Sequence, residues 1–250
     1  MANNHQKQVF TKIEGGLSIV LPAYNERENI EPMVQEAKAA GERFADSYEI
    51  IIVDDGSVDK TAEIAEELAK RDRHIKLVRH SKNLGYGSAL ADGFKAAKLR
   101  WIFFTDSDRQ FQISELEKLI PRISESKMVI GFREKRADQI HRRVYTRVFN
   151  CLVNFLFGLK VKDVNAAFKL FAREIIEGRN FISPGALINA ELLFIARVKG
   201  IDPVQVPVSH FPRKAGRQTG GSLKVLARAS RELVRLYSQR GIIRREVKLC

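Results

Sequence analysis

Five short, continuously apolar runs punctuate the first 133 residues: Leu17 to Leu21, Tyr48 to Val53, Ile75 to Val78, Trp101 to Phe104 and Met128 to Phe132. Their apolar positions do not alternate with polar ones, so each reads as a strand covered on both faces, as in a parallel sheet. Amphipathic stretches lie between them. Ile30, Met33, Val34 and Ala37 fall on one face of a predicted helix. Further helices are predicted from about Asp59 to Arg71, from Gly85-Tyr86-Gly87 to near Leu99, and from Ile113 to Ile123. Two stretches resemble capping boxes: Asn25 with Glu28, and Ser114 with Glu117.

Beyond residue 133 the pattern changes. Arg133 to Arg147 is crowded with basic residues, and Val144, Val148, Leu152, Phe155 and Leu156 recur at helical spacing. A strand over 166–171, a helix over 186–199 and a strand over 201–208 are predicted. From Ser222 the chain is basic and amphipathic, with Leu223, Leu226, Leu233 and Tyr237 on one face. With no repeat and no linker, the simplest division is a catalytic α/β domain over 1–221 and a helical C-terminal extension over 222–250. Val148 to Leu159 is the most apolar stretch, too short to span a bilayer and interrupted by Asn150 and Asn154. The N-terminal residues are polar and carry no apolar signal core, and Cys151 and Cys250 form no pattern. The expectation is free thiols and a cytoplasmic protein.

Lys and Arg outnumber Asp and Glu by 43 to 30, a net charge of +13. That excess points to anionic partners: nucleotides, nucleic acid or an anionic membrane surface. No helix-turn-helix, zinc or RNP-like signature is present, so a nucleic-acid-binding protein is only a remote alternative.

Against this basic background, acidic residues gather where ligands bind in open α/β sheets, just past the strands' carboxyl ends. Asp106-Ser107-Asp108 follows the Trp101 to Phe104 run. Two carboxylates so spaced can share a hard cation, Mg²⁺ or Mn²⁺, with Gln110 adding an amide oxygen or holding a metal-bound water. The bland reading is a turn. Asp54-Asp55-Gly56-Ser57 follows the second run; a carboxylate there can accept from ribose or base, or can simply shape a turn and cap a helix. Pro22-Ala23-Tyr24-Asn25-Glu26 can set Tyr24 against a base and Glu26 near its polar edge, or merely open a helix. Lys82 to Gly87, KNLGYG, is like a phosphate cradle but lacks P-loop spacing.

LSIVLPAYNERENI, IIVDDGSVDKT, NLGYGSAL and FFTDSDRQF, in this order, resemble the family 2 inverting glycosyltransferases of GT-A fold, over roughly residues 17 to 215. The likeness is greatest to the polyprenyl-phosphate sugar transferases. Their Asp-x-Asp-x-Gln run is matched by Asp106, Asp108 and Gln110. Asp163 before Phe168-Lys169, Arg133 after the fifth strand, and Arg213 with Gly216 match further motifs. The Ser-Lys usual after that glycine reads Arg217-Gln218-Thr219, leaving Arg217 as the substitute cation. Phe111-Gln112-Ile113 replaces a Pro-rich segment.

The resemblance implies a Rossmann-like, mostly parallel sheet and transfer from a nucleoside-diphosphate sugar with inversion. Pro22, Ala23, Tyr24, Glu26, Asp54, Asp55, Gly85, Asp106 and Ser107 are expected to bind the donor. Asp106, Asp108 and Gln110 are expected to hold Mg²⁺ or Mn²⁺, and Arg133, Arg213 and Arg217 to bind phosphate of the acceptor or leaving group. Asp108 and Asp163 are the candidate catalytic residues. A hydroxyl acceptor needs a base, for which Asp163 or Glu191 is available. A polyprenyl phosphate is already anionic, and Asp163 would then orient cations. The expected acceptor is polyprenyl phosphate at an anionic membrane surface, with a membrane-anchoring partner protein as a further option. Transfer to a saccharide hydroxyl in cell-wall or exopolysaccharide synthesis is the alternative. Glu191, His141 and His210 read as structural.

Overall fold

The computed structural model describes residues 12–134, 140–213, 215 and 223–249. Seven strands form one sheet in the order β3-β2-β1-β4-β6-β5-β7. They are β1 (Leu17–Ala23), β2 (Tyr48–Asp54), β3 (Ile75–Arg79), β4 (Trp101–Thr105), β5 (Met128–Arg133), β6 (Phe168–Ala172) and β7 (Val204–Val208). β1 to β4 are mutually parallel, and β7 is parallel to β5. All five apolar runs are strands within a residue or two. Ile50, Ile51, Ile52 and Val53 are fully buried, which a β-branched run buried on both faces achieves at little rotamer cost. β6 departs from the parallel pattern: it runs antiparallel between β4 and β5. Apolar patterning carries no strand direction, so the sequence could not show this.

The helices are α1 (Ile30–Phe44), α2 (Thr61–Arg71), α3 (Tyr86–Ala96), a single turn α4 (Leu116–Leu119) flanked by 3₁₀ turns, α5 (Ile140–Phe157), α6 (Ile188–Val198) and α7 (Leu223–Leu249). The inner face of α1 is as expected, with Ile30, Met33, Val34 and Ala37 buried. Neither capping box forms. Asn25 sits at φ 56° and its Oδ1 accepts the Val58 N–H from the neighbouring loop, so α1 starts four residues later than a cap at Asn25 requires. Ser114 lies inside a 3₁₀ turn, and Pro121 withholds the N–H that a longer α-helix over 113–123 would need.

α5 is apolar on two faces. Phe149, Val153 and Phe157 face the core, whereas Val148, Leu152 and Phe155 lie on the outside. The side chains of Val144, Leu223 and Leu226 are outside the described residues. In α7, Leu233, Leu236, Ile243 and Val247 are buried, and Tyr237 meets Phe157 of α5 edge-on. No described helix is long and apolar enough to cross a membrane.

Candidate active site

Four loops at the carboxyl end of the parallel strands are tied to one another before any ligand is considered. Asp55 is the central tie. Its N–H donates to Ala23 O at 2.9 Å, and its carboxylate accepts from the backbone N–H groups of Leu84 (2.8 Å) and Gly85 (2.9 Å). Those amides of KNLGYG are thereby committed to Asp55, so the segment is no phosphate cradle. His80 Nδ1 lies 2.8 Å from Asp55 Oδ1 and its Nε2 3.0 Å from Asp92 Oδ2. Burial alone would lower the His80 pKa, but the two carboxylates outweigh it and raise it above 6.5. Asp54 differs from its neighbour. It is fully buried, accepts the Ser57 N–H at 3.3 Å, and does not line the cavity. Asp54 thus shapes the turn after β2 through one oxygen, while its Oδ2 is buried without a hydrogen-bond partner. Alternation along β2 sends successive side chains to opposite faces, and only Asp55 reaches the opening.

Past β4, Ser107 Oγ donates to Pro22 O at 2.8 Å, locking the Asp106–Asp108 loop onto the loop after β1. Asp108 Oδ1 accepts the Gln110 N–H at 3.0 Å. Asp106 Oδ1 is buried with no protein hydrogen-bond partner. Burial raises both aspartate pKa values, and the negative charge of Asp108 raises that of Asp106 further. Two carboxylates facing one cavity, one with an orphaned oxygen, fit a divalent cation that would remove their repulsion. Among the described residues no third His, Cys, Asp or Glu joins them. Waters and substrate phosphate oxygens would complete the shell, as Mg²⁺ and Mn²⁺ commonly require.

The cavity has a volume of about 710 Å³. Of the expected residues, Pro22, Ala23, Tyr24, Glu26, Asp55, Gly85, Asp106, Ser107, Asp108, Gln110 and Arg213 line it. Gln110 Nε2 donates to Phe211 O at 3.1 Å, joining this loop to the segment after β7. Arg213 donates to Glu26 Oε1 and to Ala215 O, and its Nη1 is 3.7 Å from Asp108 Oδ2. It thus stands as a cation at the opening, paired with Glu26 and beside Asp108. Arg217 and the side chain of His141 lie outside the described residues.

Arg133 and Asp163 are not in the lining. They grip each other in a fork, Nε–Oδ2 2.7 Å and Nη2–Oδ1 2.9 Å. Their charges and that of Asp106 all act on Lys169, which is fully buried. Lys169 Nζ donates to Val164 O, Ala166 O and Asn189 Oδ1, and burial brings its pKa down to about 7. Glu191 accepts the N–H groups of Ile182 (2.9 Å) and Ser183 (3.0 Å), in keeping with its structural reading. His210 packs its ring edge-on against Phe111.

The profile of glycosyl transferase family 2 matches residues 18–179. The chain belongs to this family. It is 33% identical over 207 residues to the glycosyltransferase AglD of Haloferax volcanii, covering 79% of this chain and 33% of that protein. It is 32% identical over 222 residues to the dolichyl-phosphate beta-glucosyltransferase ALG5C of Trichomonas vaginalis, covering 80% and 65%. It is 27% identical over 212 residues to the undecaprenyl-phosphate 4-deoxy-4-formamido-L-arabinose transferase of Edwardsiella ictaluri, covering 84% and 64%. The chain thus spans from one third to just under two thirds of the length of these curated relatives. Among solved structures, glucosyl-3-phosphoglycerate synthase from Mycobacterium tuberculosis, in complex with Mn²⁺, UDP and phosphoglyceric acid, superposes with a TM-score of 0.70 at 23% identity, covering 91% of this chain and 79% of that one. The fold is of GT-A type.

Within this family 2 chain, several cavity residues escaped the sequence reading. Tyr86 and Asn83 lie in KNLGYG but had no assigned role. Asn165, Gly185, Ala186, Asn189, Ala229 and Glu232 come from elements after β5. No spacing signal connects these to the aspartates; only the folded sheet brings them together.

Proposed function

We propose that the chain carries a metal-dependent inverting glycosyltransferase that moves a sugar from a nucleoside-diphosphate sugar to a polyprenyl phosphate at a membrane surface. The observation that carries this reading is the cavity itself, in which Asp106, with its orphaned oxygen, and Asp108 share one opening with Tyr24 and Asp55. Tyr24 and Asp55 would hold the nucleoside, and Asp106 and Asp108, with Gln110 at the loop's end, would hold the Mg²⁺ or Mn²⁺. A bound divalent ion would supply the charge that stabilises a departing diphosphate. Arg213 would take phosphate oxygens once it releases Glu26.

A lipid phosphate is the acceptor that suits these residues. It needs positioning more than deprotonation, since its second pKa is about 6 as for other phosphomonoesters. Asp163, engaged by Arg133, is better suited to holding cations than to taking a proton. The names of the dolichyl- and undecaprenyl-phosphate transferases point the same way.

Membrane contact is supported by α5. Val148, Leu152 and Phe155 form an outward stripe, with Phe155 85% exposed and Arg147, Lys160 and Lys162 exposed around it. β5 ends and antiparallel β6 begins at the same edge of the sheet, the edge that carries the cavity. Asn150 and Asn154 bind the returning segment at Lys162 O and Val161 O, so α5 stays near that edge. An apolar stripe ringed by basic residues suits an anionic lipid interface, at roughly 1 kcal/mol for each Lys or Arg near the surface.

The test is transfer of label from UDP-glucose and GDP-mannose, with Mn²⁺, to polyprenyl phosphate or to oligosaccharides, followed by solvent extraction. Label should enter the organic phase, and Asp108→Ala should reduce it by about 10³-fold or more. Label found only in water-soluble product removes the lipid acceptor.

A further inference from the structure

The C-terminal helix contributes to the cavity wall. Ala229 and Glu232 of α7 line it beside Gly185, Ala186 and Asn189. Resting on the donor reading above, we infer that Glu232 binds hydroxyl groups of the donor's sugar and selects a neutral glycosyl group over an anionic one.

The wall is built, not incidental. The loop before α6 is fixed at both ends: Glu191 holds the N–H groups of Ile182 and Ser183, and Pro184 O accepts the N–H groups of Gly87 (2.9 Å) and Ser88 (3.3 Å). At Gly185 a Cβ would stand 2.5 Å from Glu232 Oε1 and 2.7 Å from Oε2. The missing side chain leaves the space that the carboxylate fills. Glu232 is 8% exposed, and the helix carrying it is clamped by buried Leu233 and Leu236 in the next turn. Its carboxylate therefore has a fixed place.

That place adjoins the reacting end of a donor. Tyr86, the metal-site carboxylate Asp106 and Asn189, a member of this wall, all line the one cavity. A diphosphate held at Asp106 and Asp108 would bring its glycosyl group alongside. An ionised carboxylate offers only acceptors, which suits sugar hydroxyls. A carboxylate on the sugar would meet like charge in a poorly solvated wall.

The full-length chain and its Glu232→Gln and Glu232→Asp variants would be titrated calorimetrically in Mn²⁺ with UDP, GDP, UDP-glucose, GDP-mannose and UDP-glucuronate. Folding of each variant would be checked by thermal denaturation. Glu232→Gln should leave the affinity for free UDP or GDP unchanged, weaken the preferred nucleotide sugar by about tenfold, and narrow its margin over UDP-glucuronate. Glu232→Asp should show the same pattern to a smaller degree, and it decides the matter if the Gln variant does not fold. Equal losses for nucleotide and nucleotide sugar, or no loss for either, would overturn the assignment. Failure of the wild-type chain to bind any of the five compounds would overturn the donor reading instead.

Discussion

The two halves of the sheet on which the cavity opens hold their charges by different means. On the parallel side, at the ends of β1, β2 and β4, carboxylates are held by backbone: Asp55 by Leu84 and Gly85, Asp54 by Ser57, Asp108 by Gln110. On the side built by β5, β6 and α6, charges are held chiefly by other side chains and by carbonyl oxygens: Arg133 by Asp163, and Lys169 by Asn189, Val164 and Ala166. Backbone amides form a fixed cradle that suits a site whose own carboxylates must stay available to a ligand. Side-chain pairs balance charge internally, and each partner depends on the other.

That difference sets the largest predicted effect. Asp163→Ala would leave the half-buried Arg133 guanidinium without its fork partner, at a cost of about 3 kcal/mol in denaturant unfolding. Arg133→Met with Asp163→Leu should recover most of that loss. Recovery would show that the pair serves charge balance; if the double variant folds well but has lost transfer, the pair also positions the site through Lys169.

Gly87 is the seam between the halves. A Cβ there would lie 2.2 Å from Ser183 O and 2.5 Å from Gly185 O, both backbone atoms that cannot swing aside. Gly87→Ala should cost about 1–3 kcal/mol as an overpacked contact. It should also weaken nucleotide-sugar binding, because the 182–186 loop would have to move. Unchanged stability and binding would mean that the two halves are less firmly joined than this contact requires.

A smaller effect of opposite sign is expected at Asp108. Asp106 and Asp108 have raised pKa values, so folding is penalised where both are ionised. Stability is fully present below the ordinary carboxylate pKa of 3.8 and declines as pH rises through the raised values. Asp108→Asn removes one charge and should make the metal-free protein about 1 kcal/mol more stable at neutral pH, while abolishing the Mn²⁺-dependent thermal shift. Loss of stability on this substitution would place Asp108 with the internally balanced charges of the other half.

The same contrast explains what could be read in advance. Strands β1 to β5, the inner face of α1 and the Asp106–Asp108 loop are local: a run, a period and a spacing identify them. The tie between Arg133 and Asp163 crosses 30 residues and that between Arg213 and Glu26 crosses 187. Neither partner carries a local mark of the other, so motif matching named all four without showing that they pair. Asp54 and Asp55 were indistinguishable in the sequence, because which one faces the cavity depends on the phase of β2 within the sheet. The outward stripe of α5 shows the limit of helical periodicity. A helix apolar on two faces gives one broad signal, and packing against α6 and α7 decides which face is buried.

His80 is the exception on the backbone-held side, since it bonds Asp55 and Asp92 through its ring. Its pKa is raised above 6.5, so its contribution is fully present below that value and is lost as pH rises through the folded-state pKa. His80→Gln should therefore destabilise the protein by about 1 kcal/mol near pH 5.5 and by less near pH 8, read from urea unfolding at both. Nucleotide affinity should follow, because Asp55 would keep its amide bonds to Leu84 and Gly85 but lose its lateral restraint. A deficit of equal size at both pH values would show that the imidazole acts only by filling space and donating a fixed hydrogen bond. In that case no charged side-chain pair would hold Asp55, and the contrast with the Arg133–Asp163 side would be sharper still.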